Sequence, residues 1–122
     1  MNPVGDARRA LTGMLAAAVP DDVAVHADPP QKLSPPCMVV RSGGGRAGTL
    51  GGTQLVDMRV TVTVGAGDTA AQVEQMETLL WTAATALRGS GRGRGGTPPS
   101  WSEPVSDGTH LECTVDLTVP VS

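Results

Sequence analysis

The sequence predicts a two-layer α+β sandwich, a mainly antiparallel sheet with two helices packed on one face, as a single domain over residues 1–122. Three observations carry that expectation. Two segments alternate apolar and polar residues with a period of two, two others repeat apolar residues at helical spacing, and the strand-like segments follow one another through connections too short for crossover helices. The composition limits what fills the core: aromatic residues are 2% of the chain, with no Tyr, Phe or Ile. Val, Leu, Ala and Met must therefore build it, the larger side chains contributing about 1.5–3 kcal/mol each when buried. With Gly 16 and Pro 10, much of the chain is loop that costs entropy to order, so such a domain gains from packing against copies of itself.

The first helix is well punctuated. Asn2 can cap it, Pro3 suits its first position, and Asp6 complements the positive end of the helix dipole. Val4, Ala7, Leu11, Met14 and Ala18 form the expected apolar stripe, and Pro20, Asp21 and Asp22 end the element. "VAVH" (23–26) is a short strand, "ADPPQKLSPP" a connection that its prolines exclude from helix, and "CMVVR" (37–41) a strand apolar on both faces. "SGGGRAGTLGG" (42–52) is expected to be a long glycine-rich loop, ordered only by a partner that it meets through Arg46 and Leu50.

"QLVDMRVTVTV" (54–64) alternates cleanly, with Val56, Met58, Val60, Val62 and Val64 on one face and Asp57, Arg59, Thr61 and Thr63 on the other. The second helix has a capping box in Thr69 and Gln72, Asp68 at its start and Gly89 as its stop. Its expected stripe is Val73, Met76, Leu80, Ala83 and Leu87. "GSGRGRGGTPPSW" (89–101) follows as a loop, then a short strand "WSEPV" (101–105), a turn at "SDG" and a last alternating strand (109–121). In that strand Leu111, Cys113, Val115, Leu117 and Val119 point inward, and His110, Glu112, Thr114, Asp116 and Thr118 outward.

Charge and motifs exclude more than they assign. A net charge of -3 rules out a general polyanion binder, so contact with nucleic acid must be local. No 18-residue apolar run is present, and the N-terminal stretch lacks the pattern of a secretory signal, which favours a cytosolic protein. Cys37 and Cys113 lie in apolar strands and read as buried thiols, not a disulfide. "GGGRAG" (43–48) fits G-x-G-x-x-G literally, but no helix opens on its last glycine to meet a pyrophosphate, and no lysine follows for a phosphate loop. The His and Cys residues lack metal-ligand spacing, and His110 and Cys113 point to opposite faces of one strand. His26 and Cys37 flank a loop without an evident orienting carboxylate. Asp57, Glu112 and Asp116 can meet across strands, although carboxylates on a solvated strand face are the ordinary case. No catalytic residue, metal or cofactor emerges.

Two features point to assembly. Trp81 lies off the strict helical stripe and Trp101 follows the arginine loop; each is either core packing or an interface anchor. Between Glu77 and Glu103 the chain has no acidic residue but carries Arg88, Arg92 and Arg94. A solvated connection explains that stretch as well as a contact surface does. On one chain two loop arginines give a weak salt-dependent affinity, whereas a ring would repeat them around one annulus.

The order of elements, with "PPCMVV", "VTVTVG", "AAQVEQMETLLWTAATAL" and "HLECTVDLTVPV" in succession, resembles the small tail terminator, or tail completion, proteins of long-tailed bacteriophages, of the lambda-terminator type. The resemblance implies a non-enzymatic virion protein of the tail and neck, assembled in the host cytoplasm. It would form a hexameric ring on the head-proximal end of the tail tube, stop tube polymerisation and offer the head-tail joining surface. Its implied partners are further copies of itself, the tail tube protein, a head-tail connector or head-closure protein, and genomic DNA passing through the lumen without sequence-specific contact. On that scheme Arg88, Arg92 and Arg94 face the lumen or the next ring. A connector or head-closure role in the same neck, or a small nucleic-acid-binding protein using the Arg/Gly loop, are the alternatives.

Overall fold

The Asn2 side-chain oxygen accepts a hydrogen bond from the Gly5 backbone N–H at 3.0 Å, capping α1 (Pro3–Ala18) as expected. The computed structural model describes residues 2–48, 52–65, 70–90 and 95–121. After α1 come β1 (Ala24–His26), β2 (Cys37–Ala47), β3 (Gln54–Val64), α2 (Ala70–Leu87), β4 (Thr97–Trp101), β5 (Val105–Ser106) and β6 (Leu111–Val121). The expected cap of α2 at Asp68 and Thr69 lies outside the described residues.

Among the described residues the strands form one six-stranded sheet in the order β1-β2-β3-β6-β4, with β5 also paired to β6. Only β1–β2 is parallel; the proline-stiffened connection carries the chain back to the start of β2 without a helix. Both helices pack on one face of the sheet, as predicted. There the alternating residues of β3 and β6 meet Met38 and Val40 of β2, Leu11 and Leu15 of α1, and Met76, Leu80 and Leu87 of α2 in one buried core.

The sequence misplaces four details. The α1 stripe runs through Leu11, Leu15 and Val19, while Met14 is 45% exposed and Ala18 is also exposed. An i, i+4 path through Leu15 continues into the buried Val19 and Val23, which fixes the rotation of the helix. In α2 the i, i+4 path Leu79–Ala83–Leu87 is buried and Val73 is exposed.

The glycine-rich stretch is also strand, not loop, as far as Ala47: Gly45 lies opposite Val56, Arg46 opposite Leu55 and Ala47 opposite Gln54, with a bulge between Ser42 and Gly45. Two glycines, Gly45 and Gly48, serve close approach of two backbones. A Cβ at Gly45 would lie 3.2 Å from the Leu55 carbonyl oxygen, and one at Gly48 would lie 3.1 Å from that of Thr53. The Gly48 N–H donates to that Thr53 oxygen at 2.9 Å and closes the hairpin.

Finally, the strand expected at 101–105 is two pieces, and β4 ends at Trp101 instead of beginning there. Pro98 and Pro99 fit β4 because it is an edge strand with a bulge between Thr97 and Ser100. The Thr97 hydroxyl accepts from the Thr118 N–H at 3.0 Å across that irregularity.

Candidate functional site

Register decides which side chains share a face. Trp101 stands opposite Val115, an inward residue, so it faces the helix layer at the edge of the sheet. Trp81 follows the buried Leu80 on α2 and is turned about 100° away from the core stripe. The result is a groove between α2 and β4, lined by Leu80, Trp81, Trp101 and Pro104 and rimmed by Glu77 and Glu103. Trp81 is 66% exposed and Trp101 43%. The chain beyond β4 is held to the sheet by the Cys113 thiol, which donates to the Ser102 carbonyl at 3.1 Å. The two tryptophans are the chain's entire aromatic content, and neither is in the core.

The outer sheet face, turned away from the helices, carries a polar network. Arg41, Arg59 and Asp116 stand in one cross-strand row, and Arg59 Nε donates to Asp116 Oδ1 at 2.8 Å. One row along, the Thr118 hydroxyl donates to Asp57 Oδ1 at 2.8 Å, and Arg46 approaches the same carboxylate at 3.7 Å. Asp57 and Asp116 are thus engaged with cations and a hydroxyl instead of forming an acid–base pair. Arg46, expected on a loop, is instead a strand residue held in this network.

The cysteines lie on opposite faces of the sheet. Cys37 is in the outer row with Thr63, and Cys113 in the inner row with Val62. Burial pushes both thiols above their ordinary pKa, the larger influence in each case. Both cysteines are free and buried, as the sequence predicts. At the turn before β6, Asp107 Oδ1 accepts from the His110 N–H at 2.6 Å and the Thr109 N–H at 2.8 Å. Those bonds, His110 first, hold its carboxyl below the usual carboxylate range.

Residues 43–47, within the literal dinucleotide fingerprint, are in β2, a position that cannot present a helix N-terminus to a phosphate. Among the described residues no group of at least three His, Cys, Asp or Glu is placed to hold a metal ion, and no helix is long and apolar enough to cross a membrane. Arg88 is exposed just beyond α2. Arg92, Arg94 and Leu50 lie outside the described residues. The structure therefore brings Trp81 and Trp101 together, and sets Arg46 and Arg88 on other surfaces. Sequence reasoning missed Glu77 and Glu103 as a rim, and the Arg41 row. The second was implicit in the pairing of β2 with β3, once the strand is continued past Arg41.

These surfaces define a small α+β fold with an exposed aromatic groove at one edge. No protein-family model matches the chain, and no curated protein matches it. Among solved structures it is similar to a chain of the virion of a native gene transfer agent particle. The TM-score is 0.62 at 17% sequence identity, over 98% of this chain and 95% of that one. The likeness covers both chains almost from end to end and is one of fold.

Proposed function

We propose that this chain is a structural protein of a phage-like virion, and specifically the tail terminator that caps the head-proximal end of the tail tube as a ring. The observation that supports a virion role most strongly is the end-to-end fold likeness to a chain of a gene transfer agent particle. The terminator assignment rests on the resemblance in element order. An exposed tryptophan groove suits a protein that works through contacts with neighbours. In this role the chain acts by shape and charge: it blocks further addition of tube subunits and offers the next component a surface. Arg88, Arg92 and Arg94 would supply sequence-independent contacts to phosphates in the lumen or to an acidic neighbouring ring.

Deleting the gene from a producing strain tests the assignment. A terminator predicts tubes of uncontrolled length that remain unjoined to heads. Tails of normal length with open, leaking heads would move the chain to the connector, and normal particles would overturn a virion role. Replacing Arg92 and Arg94 together with Ser should leave the fold intact and lower the yield of joined, DNA-filled particles; unchanged titres would make that segment a plain connection.

A further inference from the structure

We propose that the tryptophan groove between α2 and β4 receives the Lys32–Leu33 segment of a second copy of this chain, joining subunits head to tail. The inference rests on the self-assembling role proposed above and names the surfaces that carry it. Four observations lead there.

The groove offers aromatic surface within an acidic rim, and neither Glu77 nor Glu103 has an ion-pair partner among the described residues. The occupant should therefore be an apolar side chain beside a cation. Lys32 and Leu33 supply that pair: Leu33 is 39% exposed, and Lys32 has no carboxylate partner among the described residues. The segment is also stiff, lying between Pro29–Pro30 and Pro35–Pro36 and tied at its end to β1 by the Ala24 N–H, which donates to the Pro36 carbonyl at 3.3 Å. A preorganised segment loses little entropy on docking. The fourth observation is topological. The sheet order β1-β2-β3-β6-β4 puts the 27–36 connection at one side of the sheet and the groove at the other. One chain cannot bring the two together, but a row of chains can, each groove taking the segment of the next. Contacts of this heterologous kind close into rings when the rotation permits.

The surface involved is modest. Two tryptophans exposed over 66% and 43% of their surface offer roughly 250 Å² between them, well below the ~1,000 Å² that a stable interface needs. Free chains should therefore associate weakly and ring up on a template that holds them side by side.

Photo-crosslinking tests this. Leu33 is replaced by a photo-reactive amino acid in particles carrying the variant chain, and the crosslinked peptides are mapped after irradiation. The expected products are oligomers of this chain joined between position 33 and residues 77–81 or 101–104. Crosslinks to a different virion protein, or none, overturn the docking and leave the virion role standing. Absence of the chain from particles counts against the virion role; the same irradiation of the concentrated purified protein then decides the docking, crosslinks at the groove supporting it and none overturning it. A charge exchange gives the second readout by sedimentation. Lys32→Glu should weaken association about tenfold or more, and mixing it with a Glu77→Lys, Glu103→Lys variant should recover it. Failure of the pair to recover would count against the contact. Since all three side chains are exposed, circular dichroism should show each variant folded.

Discussion

Truncating Leu15 to alanine removes the branch of a side chain with no exposed surface, set where α1 meets the sheet. The burial lost and the cavity left should together cost about 2–5 kcal/mol. Met14 is its neighbour in sequence but 45% exposed. Among the described residues its Sδ accepts only from the Ser90 hydroxyl, at 3.6 Å, and Met14→Ala should cost under about 1 kcal/mol. For a domain whose total stability is about 5–15 kcal/mol, the first change is severe and the second slight. Urea unfolding followed by circular dichroism separates them. With a slope of about 2 kcal/mol per M, Leu15→Ala should lower the midpoint by about 1–2.5 M and Met14→Ala by less than about 0.5 M. Equal shifts, or a larger one for Met14→Ala, would mean that α1 presents the neighbouring stripe to the core and that its rotation is wrong by about one residue.

Gly45→Ala should destabilise the β2–β3 hairpin by about 1 kcal/mol, because its Cβ would press on the Leu55 carbonyl, whereas Gly44→Ala, which meets nothing within 4 Å, should be neutral in the same unfolding assay. Both thiols, raised by burial, should resist a disulfide reagent at pH 8 in the folded protein and react on unfolding; fast labelling of Cys37 under native conditions would contradict its placement. Asp107 has a folded pKa below its ordinary value. Its contribution is therefore present above about pH 4, the ordinary carboxylate value, and is lost as pH falls through the depressed one. A loss of protection at the Thr109 and His110 amides on acidification, measured against their intrinsic exchange rates and absent in Asp107→Asn, is the expected result.

The sequence legibility of this chain follows the range of the interactions involved. β3 and β6 were readable because alternation is local, and a sheet buried on one face leaves no freedom of register. The α1 stripe was ambiguous because both Met14 and Leu15 continue an apolar path, and only the neighbouring elements choose between them. Gly45 misled because the residue type that makes slack loops also permits tight approach of two strands. The groove was legible as two unplaced tryptophans, but its formation depends on Trp81 of α2 meeting Trp101 of a proline-bearing edge strand, a contact that no local pattern encodes. Element order was the strongest clue to the architecture, and the solved structure similar to it agrees along nearly the full length.

A cryo-electron microscopy reconstruction of the intact particle tests the central claim most directly. The account predicts a closed ring of this fold between the tail tube and the head. Within it the α2–β4 edge of each subunit should lie against the β1–β2 side of the next, with Trp81 and Trp101 buried between copies. Density for this chain distributed along the tube, or a ring in which both tryptophans face solvent, would contradict it.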